Sequence, residues 1–516
     1  MQEQKETVFT GRKRIYTTYE EVNENNLIEI LRESCAIHAF NVSQITYLWR
    51  YYKGIQPILN REKDVRPEIC NKIVENHAQE IVAFKIGYQL FEPVQYVSRT
   101  GENEDDDISD KIKHLNTLMF AENKESRDRD LFEWLYIAGQ AYRLVLPDKE
   151  EEIENGGAPY EIFTPDPRSC FIVRTANYSH KPLMGVYIGI DENDKQIFNI
   201  YTRDTFYLVK DNKIIKSEKH VCGNIPIIKY DLNNARMGVF ESVLPILDSI
   251  NAIESNRLDG IEQTVQCLMK FINCDVSEED FSELLKLGAV KVRSVDGQQG
   301  DVDILKNDLD QTQTQVTKDD LYQTMYNIVG MPNITANKGS TNDTGVAVLL
   351  RDGWTLAESH AKSYELKFKE SEQDFLRIVL NICAISSEDK IDLRIRDIEM
   401  AFNRRNYENS LTKTQVLTTM LDNDKIHPLL AFQACGLFTD PEAAYIASTT
   451  YAEKIKEENM QKAVDIASGN VQNLVGNNKD VNKNQEPKEN ENEPKKQNNI
   501  KQINTQQEEN PAPKPM

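Results

Sequence analysis

Between Leu350 and Ile382 the residues Leu350, Trp354, Ala357, Ala361, Tyr364, Phe368, Phe375, Val379 and Ile382 recur at alternating steps of three and four. That spacing keeps them on one face of a helix, with only Ser371 interrupting. Glu358 and Lys362, and Glu365 and Lys369, stand four apart on the other side, where opposite charges support a helix. A helix from Thr344 to Ile382 is on the order of 60 Å long at ~1.5 Å per residue. Unbroken patterns of this length belong to coiled coils, membrane spans or helical bundles, and the charges on the other faces exclude a membrane span.

The residues before this stretch predict two shorter helices around a small insert. The first covers Val239 to Leu268, with Val243, Leu247, Ile250, Ile261, Val265 and Leu268 on one face and Pro245 early, where a first turn tolerates it. Its waist is polar: Asn251, Ser255, Asn256, Asp259, Glu262 and Gln263. A waist of this kind suits a channel lining or packing against copies of the same chain. Ser277-Glu278-Glu279-Asp280 reads as a capped, acid-rich helix start. Strand-like runs at Ala289–Val295 and Val302–Leu305 flank the turn Asp296-Gly297-Gln298-Gln299-Gly300. A second helix over Asp310–Val329 ends at Gly330-Met331-Pro332. Asn333 to Thr344 is a polar loop in which Lys338 is the only cation.

Elsewhere, residues 1–22 lack a pattern and read as an arm. Helices are expected at Glu24–His38, Asn41–Lys53, Asn71–Ala83, Ile108–Glu122 and Glu125–Gln140. A strand follows over Gly139–Leu146. His77 falls on the apolar face of its helix, which favours a core or interface role over metal ligation. From Tyr160 to Lys219 the period becomes two, and an antiparallel meander is predicted with strands at Tyr160–Phe163, Cys170–Arg174, Leu183–Ile190, Gln196–Tyr201, Thr205–Lys210 and Lys213–Lys216. After the long helix come a strand at Ile391–Ile395 and helices at Ser410–Asp422, Lys425–Ala434 and Asp440–Asn459. From Asn470 the composition collapses into Asn, Gln, Lys, Glu and Pro, and the tail is expected to be disordered.

The search for chemistry returns little. P-loop, GxSxG and HExxH patterns are absent, the seven His are scattered, and the eight Cys form no CxxC pair. No catalytic residue, metal site or cofactor is assigned. Asp301/Asp303 and Asp308/Asp310 fit capping and solvation better than a two-metal site. The acidic runs Glu102–Asp107 and Asp191–Asp194 lack calcium-loop spacing. A net charge of −22 argues against a protein that grips duplex DNA, yet it suits a wall past which DNA slides. No apolar run is long enough to cross a bilayer, and the first residues show no secretion signal.

Two blocks of residues are more specific. The first joins Phe240-Glu241-Ser242-Val243, Leu247-Asp248-Ser249-Ile250-Asn251 and Ser255-Asn256 to Thr344-Gly345-Val346-Ala347. The second is Asn71-Lys72-Ile73-Val74 with Lys85-Ile86-Gly87-Tyr88 and Pro93-Val94. In this order they resemble the phage portal protein family, in the branch named after the portal of phage SPP1; Thr344 stands where Ser is common. The resemblance implies an α+β portal-type subunit with a helical stem, a small α/β clip, an α/β wing holding the antiparallel meander, and a helical crown. The implied division is an N-terminal arm at 1–22, wing 23–237, stem helix 238–270, clip 271–306, stem helix 307–330, tunnel loop 331–344, long helix 345–390, crown 391–469 and tail 470–516. It implies a ring of twelve copies in the virion, assembled in the host cytoplasm, that passes double-stranded DNA without sequence preference. Asn337, Lys338, Ser340, Thr341 and Asn342 would face that DNA, and Glu278, Glu279, Asp296, Gln298 and Gln299 a head–tail adaptor. A terminase and the major capsid protein are the other implied partners; no membrane is. The alternatives are a nucleic-acid-processing enzyme, marked by metal-dependent cleavage, and a helical scaffold unrelated to DNA, marked by failure to form a ring.

Overall fold

Helix α1 (Leu27–Tyr52) is a single element where the sequence predicts two. Its buried face carries Ser34, His38, Asn41 and Gln44, the polar stretch that suggests a break. Instead, the Asn41 side chain accepts from the Lys13 amide (2.8 Å) and donates to the Lys13 carbonyl (2.9 Å). These two bonds satisfy the chain segment before β1 (Ile15–Thr17) and leave the helix unbroken. The computed structural model describes residues 11–99, 106–148, 157–265, 268–272, 301–305, 312–332, 353–386, 389–404, 410–438 and 441–467. Contacts divide the chain into Met1–Tyr445 and Ile446–Met516; of the second unit the described part is residues 446–467, within the last helix.

The expected arm is therefore corrected: residues 11–17 are built into the body. Strand β1 pairs in parallel with β5 (Cys170–Thr175), and Arg12 is fully buried in an ion pair with Glu241 at 2.8 Å. Strand β5 leads into β6 (Pro182–Ile190), β7 (Gln196–Tyr201), β8 (Thr205–Lys210) and β9 (Lys213–Lys219), each antiparallel to the one before. The β8–β9 turn has both Asp211 and Asn212 at positive φ (48° and 57°), as a tight two-residue hairpin of the favoured hand requires. Phe171, Val173, Met184, Val186, Ile200 and Val209 point from this sheet onto Leu27, Ile30 and Leu31 of α1.

The meander starts one strand later than expected. Strand β4 (Tyr160–Phe163) leaves it and pairs with β3 (Gln140–Pro147), which also pairs with β10 (Ile227–Asp231), giving a second sheet in the order β10-β3-β4. Period alone cannot assign a strand to a sheet, and the partner's register decides. Helix α2 (His77–Gln89) leads to β2 (Gln95–Ser98), and α3 (Asp106–Ala121) and α4 (Lys124–Ala138) follow. Gly139 closes α4 at φ 72°, and a Cβ there would meet the main chain of Arg236 at 2.3 Å. Strand β2 pairs with β13 (Ile398–Ala401). The strand expected at Ile391–Ile395 is not formed: a short 3-10 turn, Ile395–Asp397, intervenes, and the pairing with β2 falls on the residues after it.

The numbering of the remaining elements follows the chain: α5 (Leu244–Val265), β11 (Leu268–Ile272), β12 (Asp301–Leu305), α6 (Thr312–Val329), α7 (Trp354–Ile385), α8 (Ser410–Leu421), α9 (Pro428–Cys435) and α10 (Pro441–Ala467). No helix of the described residues is long and apolar enough to cross a membrane. The long helix α7 lays Phe368, Phe375, Leu376, Val379 and Ile382 into the largest core, together with α4 and the β10-β3-β4 sheet.

At the point where the apolar stripe of α7 is interrupted, Glu372 is completely buried. Arg143 of β3 donates to both of its carboxylate oxygens at 3.1 Å. Tyr96 donates to it at 2.7 Å and Tyr230 at 2.5 Å, and Lys124 lies 3.0 Å away. Asp128 completes the group, pairing with Arg143 and with Lys124 at 2.6 Å. Burial pushes the Glu372 carboxyl up, but Arg143 and Lys124 outweigh it and hold the group well below the usual carboxylate range. Two cations and two carboxylates cancel, and the tyrosines satisfy remaining lone pairs, which is the condition under which a buried ionic group is tolerated. E372Q leaves an excess positive charge in that core. It is expected to cost about 3–5 kcal/mol in denaturant unfolding, whereas exposed-surface controls such as E370Q cost under about 0.5 kcal/mol.

Candidate functional site

The polar waist of α5 has a partner within its own chain. Asn251, Ser255 and Asp259 are buried at four-residue steps along one face. Opposite them, residues 71–76 are extended rather than helical, so the predicted helix at Asn71 begins only at His77. The amides of Asn71, Ile73 and Glu75 donate to Asp259 Oδ1 (2.8 Å), Ser255 Oγ (3.0 Å) and Asn251 Oδ1 (2.8 Å). The registers agree because four helical residues rise about 6 Å and two extended residues about 6.6 Å. A row of helix side chains thus substitutes for a neighbouring strand. This corrects the reading of these three residues as a channel lining or self-packing surface. Asp259 also binds Lys63 Nζ (3.1 Å) and Arg61 Nη2 (3.0 Å); burial raises its carboxyl, but the Asn71 amide, Lys63 and Arg61 together hold it below its ordinary value. Asn256 accepts from Arg61.

Helix α6 joins this assembly through a charged cluster. Glu75 binds Lys318 at 2.8 Å and also accepts from Tyr322; Lys318 reaches Glu254 of α5 at 2.5 Å. His77 lies between Glu75 (3.0 Å) and Glu80 (2.6 Å), with its ring edge-on to Tyr322. Burial lowers the imidazole, yet the two carboxylates raise it to about 9 overall. Burial raises Glu75, yet His77, Lys318 and Tyr322 bring it down to about 2. His77 is thus an interface residue that ties the start of α2 to α6, as its place on the helix suggested.

Two insertions leave this helical pair. Helix α5 ends at Val265, short of the expected Leu268, and Leu268–Ile272 is a strand paired antiparallel with Asp301–Leu305. Pairing across the insert overrides the helical period of these residues. Ile272 stands opposite Asp301, so residues 273–300 depart from and return to adjacent positions at the end of the ribbon. After α6 the chain turns at Gly330 (φ 66°), where a Cβ would lie 2.7 Å from His360 of α7. It re-enters the described structure at Gly353 (φ 86°), whose Cβ position is 3.6 Å from Pro332 Cα. Residues 333–352 therefore also begin and end at one point. That point is anchored. Trp354 packs on Phe84 and Tyr88, and Glu358 accepts from Tyr88 (2.8 Å) and Arg404 (2.7 Å). Lys85, buried beside Tyr364, is pushed down to about 8 by its loss of water.

All ten residues singled out in the sequence lie outside the described residues: Asn337, Lys338, Ser340, Thr341 and Asn342 in the second insertion, and Glu278, Glu279, Asp296, Gln298 and Gln299 in the first. The expected start of the long helix at Thr344, the strand Ala289–Val295 and the tail from Asn470 fall outside them too; within them the long helix begins at Trp354. What the structure adds is the platform. Glu75 and Lys318 were not assigned roles from the sequence, since they pair across 243 positions of the chain. Among the described residues no group of three or more His, Cys, Asp or Glu is placed to hold a metal ion.

Two outcomes test this platform. D259A removes the acceptor of the Asn71 amide and a counter-charge for two cations. It is expected to cost about 1–3 kcal/mol and to speed hydrogen exchange at Asn71, Ile73 and Glu75 while leaving β3 and β10 protected. The folded His77 lies above its ordinary value of 6.5, so its contribution is full below that pH and is lost as pH rises through about 9. Thermal stability is expected to fall between pH 7 and 10, and H77Q is expected to flatten that fall.

A search of curated proteins finds no match. The family model described as phage portal protein, SPP1 Gp6-like, matches residues 32–465, which include α5, α6, both insertions and α7. The chain belongs to the phage portal protein family of the SPP1 Gp6-like type.

Proposed function

We propose that this chain forms a closed ring of twelve copies at one vertex of a phage capsid, through which double-stranded DNA enters during packaging, is retained, and later leaves. The observation that carries the reading is the family match over residues 32–465. Cyclic closure follows when one heterologous contact repeats around an axis. The 333–352 insertion, rooted at the start of α7, is the tunnel loop. Asn337, Lys338, Ser340, Thr341 and Asn342 meet the DNA backbone there, weakly and without reading bases. The 273–300 insertion is the clip, presenting Glu278, Glu279, Asp296, Gln298 and Gln299 to the adaptor. A terminase supplies the ATP hydrolysis that this chain has no P-loop to perform, and the major capsid protein surrounds the wing. The chain itself acts mechanically and is not an enzyme.

One subunit weighs 59.3 kDa, so twelve give about 0.7 MDa. Light scattering and electron microscopy of the purified chain are expected to show that mass and a ring with an axial opening wide enough for a duplex. A compact dimer that cleaves DNA when given a divalent metal would overturn the proposal.

A further inference from the structure

The chain carries a net charge of −22, yet one crease of its described surface is strongly basic. Lys13 and Arg14 before β1, Arg174 of β5 and Lys229 of β10 line it, and Arg236 adjoins it. Asp231 is the carboxylate that answers them, 3.0 Å from Lys229 and 3.6 Å from Arg14. Other partners are uncharged. Arg174 donates to the His180 carbonyl at 3.1 Å, Arg236 to the carbonyls of Arg12 and Asn234, and the Lys13 ammonium stands 4.0 Å over the Phe40 ring. Five positive charges thus share one negative charge. Burial lowers the Lys229 ammonium against the pull of Asp231, and Arg174 and Arg236 add to the lowering.

A patch of opposite sign lies along the start of α1. Glu20, Glu21, Glu24, Glu29 and Glu33 are all exposed, and Arg32 is the only lysine or arginine between Ile15 and Trp49. The crease reaches α1 at Asn41, which binds Lys13. Glu29 and Asn41 are separated by about 18 Å along the helix at ~1.5 Å per residue. That exceeds the screening length of about 8 Å at physiological salt, so the two patches do little to neutralise each other within one chain.

We infer that the basic crease of one subunit receives the Glu20–Glu33 patch of a second copy, so that the two patches form part of the contact repeated around the ring. Two different, complementary patches on one chain make a head-to-tail contact, which is the kind that closes into rings. Complementary charge also fixes register and excludes wrong pairings, whereas like charges brought together are strongly unfavourable. The inference rests on the ring proposed above and names one of its contacts.

The test compares the full-length chain with K13E/R14E and with E20K/E21K/E24K. Each variant alone is expected to need at least ~10-fold more protein to form rings. Mixed in equal amounts, they are expected to recover rings, because the reversed crease of one meets the reversed patch of the other and the unaltered crease meets the unaltered patch. Recovery also shows that both variants are folded. Rings formed by each variant at the wild-type concentration would overturn the inference and leave the ring intact. So would variants with wild-type circular dichroism whose mixture fails to assemble, or a K13E/R14E chain that assembles normally but loses duplex-DNA binding. Failure of the wild-type chain itself to form rings would overturn the ring reading instead.

Discussion

The buried group around Glu372 is the constraint on which the rest of the first unit depends. It draws one residue or more from each of α4, β2, β3, β10 and α7, so the four charges can be satisfied only when all five elements are in place. Such a group adds little net stability over an apolar core of the same shape, because two ion pairs must first lose their water. Its effect is on register. Helix α7 could slide by a turn along an apolar surface at modest cost. With Glu372 locked to Arg143 it cannot slide without stranding a charge. The aromatic residues around the group, Phe375 beneath the Arg143 guanidinium at 4.6 Å among them, exclude water from it.

The fixed position of α7 determines where the second insertion returns to the body. Trp354, Glu358 and Arg404 secure the first turns of the helix against α2, and α2 is in turn tied through Glu75, His77 and Glu80 to α6. Helices α5 and α6 enter the main core through Leu244, Leu247, Ile250, Met325 and Val329, and polar contacts fix them further: the three-rung ladder on α5 and the Lys318–Glu75–His77 cluster on α6. The polar contacts add to that apolar packing what it lacks. Hydrogen bonds and ion pairs are directional, so they set the angle of the helices.

Much of this was legible in the residues. The periodicity of α7, the α5–α6 pair around an insert, the Asp211-Asn212 hairpin and the meander from Cys170 onward rest on local rules, in which side chains three, four or two apart meet the same surface. The errors share one cause. Residues 71–76 look helical because Ile73 and Val74 fit the period of α2, but their amides have better acceptors on α5. Tyr160–Phe163 alternates like the meander, but β3 is its partner. Residues 11–17 look patternless because a short strand and a buried arginine carry no periodicity. Ser371 stood out as the break in the α7 stripe, while the adjacent Glu372 carries the burial.

The sequence by itself determined the class of the protein: the order of helices, sheet and insertions, the acidic body and the motif blocks that identify the portal family. These are properties of near neighbours in the chain or of composition, and local sterics and water are enough to express them. Only the tertiary structure decided how the polar groups are used. Whether Asp259 faces a channel or an amide, whether Glu372 is solvated or paired, and whether Lys13 and Arg14 stand alone or in a crease depend on residues 28 to 276 positions away. Charges and hydrogen bonds are satisfied by partners in space, and no local rule of spacing can name a partner that distant in the chain.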